Sequence, residues 1–377
     1  MGGFAGRRVL LVGPVPPPDG GMANQTAQLV RLLRSEGADV TLVPVNAPYR
    51  PRWVGRLPVV RALARLVPFL GALWSAAGRA DVMHVMANSG WSWHLGAAPA
   101  VWIASWRGLP AVVNYRGGGA AEFFRGAGFW VRPTLARCAA VVVPSPFLER
   151  VFRDFGFRAE IVPNVVDLAR FRRAERPRGD DGAPPAPHLI VARHLEPIYG
   201  NDTALRAFAT VRARFPRARI SIAGAGAERA PLEALADSLG IREAVEFTGR
   251  LDNAQMADLF GRADLMLNPS LVDNMPISIL ESLASGVPVV SSNVGGIPDL
   301  VRDGVTASLV APTDPAAMAD AAVELLSNEA TRRARIEAGL EHVRRFTWER
   351  VRDELAGVYE RAIAARSAGA ARRSREG

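Results

Sequence analysis

The stretch Pro269–Gly296, PSLVDNMPISILESLASGVPVVSSNVGG, constrains this chain more than any other. Asp273 closes a loop, Asn274 and Pro276 are helix-start residues, Glu281 follows inside the helix, and Gly286 stops it. Val287 to Ser292 then reads as a buried strand, and Val294 to Pro298 as a glycine turn into another short helix. Loop, short capped helix and buried strand in that order build a parallel α/β edge. Unpaired N–H groups at the open start of such a helix stabilise an anion, most naturally a phosphate. Asp273 and Glu281 stand where sugar hydroxyls would be gripped. A capped helix carrying two acids is also common where nothing binds, so these two residues alone decide little.

A chain of 377 residues exceeds the usual single-domain range, so two domains are expected. The formal charge of +9 allows nucleic acid, a membrane surface or a phosphorylated ligand as partner, and all the basic side chains are arginine. Nucleic acid ranks last, because the arginines are spread through both halves and no zinc, RRM or helix-turn-helix spacing occurs. The single cysteine, Cys138, allows no intramolecular disulfide and no cysteine metal cluster; it reads as a small apolar packing residue. The apolar run after Arg7 and Arg8 is too short for a signal peptide and reads as a first strand. No run reaches the length of a membrane span.

Strand-like runs at Val9–Val12, Val40–Val45, Val82–Met86, Ala111–Tyr115, Ala139–Val143 and Ile161–Val162 alternate with helical or irregular segments. That is the order of a doubly wound parallel sheet. The first strand runs into PVPPPDGG and then a helix from Met22. Gly20 and Gly21 there allow a ligand close to the backbone, or serve a plain turn. The expected division is 1–169 for the first Rossmann-like domain, 170–187 for a Gly- and Pro-rich linker, and 188–345 for a second domain of the same kind. A helix at 346–364 is expected to cross back to the first domain, with a disordered tail at 365–377. Two such domains place their strand ends around a shared cleft.

The ordered strings PDGGMANQTAQL, VVVPSPFLERVF, IVPNVVDLARF, ISIAGAGAERAPLEALADSLGI, VEFTGRLD, DNMPISILESLASGVPVVSSNVGGIPDLV and FTWERVRDELAGVYERAI cover nearly the whole chain. Together they resemble the family 4 (group 1) retaining glycosyltransferases of GT-B fold. The resemblance implies a hexosyltransferase moving a hexose from a nucleotide diphosphate sugar to a glycan or lipid-linked acceptor, in cell-surface or exopolysaccharide biosynthesis. The family spacing of an acid, seven residues and Glu falls on Asp273 and Glu281, with Asp in place of the usual Glu. By resemblance, Asp273 and the backbone of Asn274, Met275, Pro276 and Ile277 contact the donor sugar and phosphate, and Glu281 holds the ribose. Retention, with the leaving phosphate taking the acceptor proton, is likewise the family's.

Of the two cations the family brings to the diphosphate, Arg193 matches the first. The following Lys is absent, with Ile198, Tyr199, Gly200 and Asn201 in its place; Tyr199 offers a hydrogen-bond donor instead. A cation about 4 Å from a phosphate is worth roughly 4 kcal/mol at an effective dielectric near 20, so the loss bears on leaving-group stabilisation. Where the family often has a histidine near the donor sugar, VVNYRGGGAAEFF supplies Arg116. It cannot serve as a base near neutral pH, but suits an acceptor anion or a donor hydroxyl; a structural arginine in a turn is the competing reading. His84, inside a strand pattern, reads as a core histidine. Gly224 and Gly226 read as a donor-side turn, the third glycine of a dinucleotide fingerprint being Arg229. Asp-x-Asp does not occur, so neither a metal nor another cofactor is expected, the nucleotide sugar being a co-substrate. Rival readings are a catalytically impaired GT-B binding or scaffold protein, a GT-B sugar phosphorylase and a nicotinamide oxidoreductase.

Seven of the eight tryptophans lie in the first half, where clustered Trp at helical spacing suits core, interface or sugar stacking. Residues 50–74 mix Arg50, Arg52, Arg56, Arg61 and Arg65 with Leu, Val, Phe and Trp, as does a helix lying on anionic headgroups or packed on its own domain. The expected location is cytoplasmic, peripheral on the inner face of the membrane.

Overall fold

The computed structural model describes residues 3–17, 20–47, 58–173 and 186–376. The chain divides into two compact units, one of Asn164–Thr347 and the other of the chain before it joined by the chain from Trp348 on.

The first unit runs β1 (Arg8–Gly13), α1 (Gly21–Ser35), β2 (Asp39–Pro44), α2 (Pro58–Ala77), β3 (Val82–Ala87), α3 (Ala98–Trp106), β4 (Ala111–Tyr115), α4 (Ala120–Leu135), β5 (Ala140–Val143), α5 (Pro146–Asp154) and β6 (Glu160–Ile161). The strands pair in parallel in the order β2-β1-β3-β4-β5-β6. VMHVMA and AVVNY are buried along their whole length, as strands covered by helices on both faces must be. The first crossover steps one way from β1 and the later ones step the other way. Right-handed connection therefore puts α1 on one face and α2 to α5 on the other.

The second unit runs β7 (His188–Ala192), α6 (Asn201–Arg214), β8 (Arg219–Ala223), α7 (Arg229–Ser238), β9 (Val245–Gly249), α8 (Asn253–Arg262), β10 (Leu265–Asn268), α9 (Ile277–Ala284), β11 (Val289–Ser292), α10 (Ile297–Leu300), β12 (Ser308–Val310), α11 (Pro315–Ser327) and α12 (Glu329–Val343). Its parallel order is β12-β11-β10-β7-β8-β9. Local signals set the boundaries: Asp252 and Gln255 form a reciprocal capping box at the start of α8. The order in which strands are added reverses between β7 and β10, so their C-terminal ends form the crevice where doubly wound sheets hold ligands.

The sequence places the first boundary at 169/170, whereas the second unit takes the chain from Asn164. The reason is burial: Val166 and Phe171 belong to the core that contains Met266 and Ile279, and Val166 N–H donates to the Phe346 carbonyl at 2.9 Å. Most of the expected linker, 174–185, lies outside the described residues. Helix α13 (Trp348–Glu376) packs on β3 and β4, and Trp348 Nε1 donates to Glu36 at the end of α1 at 2.9 Å. It extends through most of the segment expected to be disordered, because Ala, Arg, Ser and Glu in 365–376 continue a started helix at little cost.

Candidate active site

Arg193 follows β7 and Asn268 ends β10, on either side of the reversal in strand order. Asn268 is fully buried; its Nδ2 donates to Ser291 Oγ at 2.8 Å, which turns its Oδ1 to accept from Arg193 Nε at 2.6 Å. Arg193 Nη2 then stands 2.9 Å from Asp273 Oδ2, both side chains about nine-tenths covered. The angle there is too poor for a hydrogen bond, and Nη2 meets no acceptor among the described residues. A guanidinium charge is thus paired by distance while part of its donor capacity stays open, which suits a phosphate oxygen. Asp273 is held from behind. Its carbonyl accepts from Gly296 N–H at 3.0 Å, and a Cβ at Gly295, where φ is +55°, would come 1.9 Å from that same carbonyl.

Helix α9 begins at Ile277 after Pro276, with no side chain closing its N-terminus. Asn274 N–H is already committed to Asp273 Oδ1 at 2.8 Å and Pro276 has none, so Met275 and Ile277 carry the backbone part of the expected anion site. Ser278 Oγ, in the first turn and buried, meets no partner among the described residues. Glu281 lies one turn further on. Burial raises its carboxyl from 4.5 to about 7, against the opposing pull of Arg193 and then Arg170.

The other residues expected on the donor side have different duties. Tyr199 ends a short 3-10 turn, with the Arg193 guanidinium 5.7 Å from its ring centroid, and burial raises its phenol. Asn201 donates to the His194 carbonyl at 2.9 Å and so ties down the loop after Arg193. A Cβ at Gly224 would lie 1.9 Å from the Arg193 carbonyl and one at Gly226 2.1 Å from that of Leu195. These two glycines let the β8 loop pack backbone against backbone on the Arg193 loop, where the sequence suggests a turn facing the donor.

In the first unit the strand ends present Gly20, Gly21 and Arg116. A Cβ at either glycine would meet nothing within 4 Å, so the start of α1 borders open space. Arg116 donates from Nε to Asn114 Oδ1 at 3.1 Å and from Nη1 to Gln25 Oε1 at 3.3 Å, and burial lowers it to about 10. Asn114 Nδ2 lies 3.2 Å from His84 Nε2, and His84 Nδ1 lies 2.8 Å from Tyr359 Oη of α13. Arginine only donates, so the direction of every bond follows. Asn114 presents its carbonyl to Arg116 and its amide to His84 Nε2, and the imidazole proton sits on Nδ1, donating to Tyr359. Burial, then Arg116, lowers His84 to about 3, so it stays neutral and is no base at ordinary pH. Asn268, Ser278, Asn114 and Tyr359 escape sequence reasoning. The signal was a lone polar residue within or ending an otherwise apolar strand, as in LMLN and AVVNY.

Two doubly wound units in one chain, with cation, acid and open helix end at a switch point, define the GT-B class of glycosyltransferase folds. Sucrose-phosphate synthase from Thermosynechococcus elongatus superposes with a TM-score of 0.74 at 21% identity, over 95% of this chain and all of that one. Anabaena HepE, solved with UDP-glucose, gives 0.71 at 16%, over 94% and 99%. Residues 181–342 match the family described as glycosyl transferases group 1, and residues 19–170 that described as glycosyltransferase family 4. The chain belongs to the family 4 (group 1) glycosyltransferases. It is 35% identical over 229 residues to the D-inositol 3-phosphate glycosyltransferase of Mycobacterium tuberculosis, 58% of this chain and 47% of that protein. With the protein of that name from Catenulispora acidiphila it shares 34% over 218 residues, 55% and 51% of the two chains. The chain thus spans about half the length of these curated relatives.

Proposed function

We propose that the protein transfers a hexose from a nucleotide diphosphate sugar to a glycan or lipid-linked acceptor, with retention, in the assembly of a cell-surface polysaccharide. The observation that carries this reading is the Arg193–Asp273 pair beside the open start of α9, with Glu281 one turn along. Arg193 Nη2 and the Met275 and Ile277 N–H groups take the diphosphate and stabilise its charge as it leaves. Asp273, released from Arg193 by the incoming phosphate, accepts a sugar hydroxyl, and Glu281 accepts from the ribose. Arg116 binds an anionic or hydroxyl group of the acceptor. UDP is the first nucleotide to try, since HepE was solved with it. No three His, Cys, Asp or Glu side chains converge on a metal site among the described residues, and leaving-group stabilisation in this reading falls to Arg193 and the helix. No helix among them is long and apolar enough to cross a membrane, and work on a lipid-linked acceptor would be peripheral, at the cytoplasmic face.

The test is hydrolysis of UDP-, GDP- and ADP-hexoses by wild type and Glu281→Ala in the presence of EDTA. Consumption of one donor, lost in the variant, is the expected result. Nucleotide binding without turnover, even with acceptors supplied, would favour the impaired binding protein that the missing cation near Tyr199 suggests. Cleavage requiring free phosphate would favour a phosphorylase. Failure of all three nucleotides to bind removes the assignment.

A further inference from the structure

Helices α2, α3 and α4 lie side by side on the face of the first sheet opposite α1. Their inner sides fill the core with Phe69, Leu73, Val101, Phe124 and Val131. The outer sides of such helices are ordinarily polar. Here they carry Val67, Trp74, Trp106, Phe129 and Trp130, exposed to 65%, 47%, 67%, 80% and 72%.

Arginines are threaded among these side chains. The Arg107 guanidinium stands 5.0 Å from the Trp74 ring, joining α2 to the end of α3. Arg137 stands 3.7 Å over Trp102, whose ring meets that of Trp106 at a tilt of 55° with centroids 6.0 Å apart and whose Nε1 donates to Thr134 of α4 at 3.0 Å. Arg125 is exposed on α4. Between residues 58 and 137 the sequence has eight arginines and two acids, Asp81 and Glu122. Asp81 is occupied by Arg8 at the opposite end of β3. The surface is therefore aromatic, cationic and nearly free of carboxylates.

We propose that this outer face of α2–α4 docks on an anionic phospholipid bilayer. Tryptophan and phenylalanine enter the headgroup layer, where a ring finds apolar surroundings and the indole N–H a polar partner, while the guanidinium groups meet lipid phosphates. A second copy of the chain suits the face poorly, because a two-fold contact sets arginine against arginine with only Glu122 to offset them. The proposal concerns a surface away from the strand ends and does not depend on the transferase reading. It also shifts the expected contact from residues 50–74 to three helices, of which α2 is one; 48–57 lie outside the described residues.

The test is co-sedimentation with phosphatidylcholine vesicles, with and without about a third phosphatidylglycerol, and with no nucleotide sugar present. Wild type is expected to pellet with the anionic vesicles only and to be released by salt. Each of Arg107→Gln and Arg125→Gln should lower partitioning about fivefold. The triple variant Trp106→Ser, Phe129→Ser, Trp130→Ser should lower it tenfold or more, roughly the worth of three interfacial rings. These side chains are exposed, so an unchanged melting temperature certifies the fold. Equal pelleting with both vesicle types, no pelleting with either, or indifference to these variants overturns the proposal. So does a dimer that the triple variant dissociates in the absence of any vesicle binding.

Discussion

Replacing Glu281 by Gln should stabilise the free protein at alkaline pH and leave it nearly unchanged at acid pH. The folded chain holds this carboxyl at about 7 against an ordinary 4.5. Well below pH 4.5 the acid is neutral in both the folded and the unfolded chain, and the substitution is close to neutral. As pH rises from 4.5 through 7 the unfolded chain ionises freely, while the folded one must either keep its proton or bury a charge. Stability is therefore lost across that window and levels off above it. The full difference corresponds to ~3 kcal/mol. Glu281 is only partly covered as a residue, so this is an upper bound. For a unit of this size it equals a gain of about 6–12 °C in melting temperature at pH 8.5. Calorimetric melting of both proteins at pH 5 and 8.5 measures it. An equal change at the two pH values, or a loss at pH 8.5, would refute the argument that burial governs this carboxyl.

Two other substitutions probe the supports behind the site. Gly295→Ala would press a Cβ against the Asp273 carbonyl and force an unfavourable positive φ, so donor hydrolysis should fall about tenfold or more while the melting temperature drops by only a few degrees, a strain of roughly 1–2 kcal/mol; wild-type turnover would show that the loop moves aside freely. Tyr359→Phe keeps the ring but leaves the His84 Nδ1 proton without an acceptor, at a cost of about 1–3 kcal/mol in urea unfolding, and an unchanged midpoint would mean that this hydrogen bond is not made.

The loop and helix that carry Asp273 and Glu281 were legible because their signals are local. Asp273, Pro276, Glu281 and Gly286 sit within one loop and helix, where Pro276 starts the helix, Glu281 lies on it and Gly286 follows its end. The partner of Asp273 was not legible. Arg193 lies 80 positions earlier, and only the strand order β10-β7 brings the two loops together. Nor does the sequence distinguish the glycines that border open space, Gly20 and Gly21, from those that let two backbones touch, Gly224 and Gly226; that depends on what lies opposite. Arg116 was visible as a departure from the family, whereas its support reaches through Asn114 and His84 to a tyrosine 243 positions later. The tail was misjudged from its small, basic composition, which equally describes an exposed helical extension.

The return of the chain at Trp348 also sets an order of events during synthesis. Phe4, which stacks on Trp348 at 5.7 Å and meets the edge of Tyr359 at the same distance, leaves the ribosome long before the aromatic partners that cover it. By then every residue of Asn164–Thr347 has been made, so the inserted unit can complete its folding while its host still exposes one side of its sheet to water. A nascent chain arrested before Trp348 should therefore hold a protease-resistant second unit beside an unfinished first one that recruits chaperones.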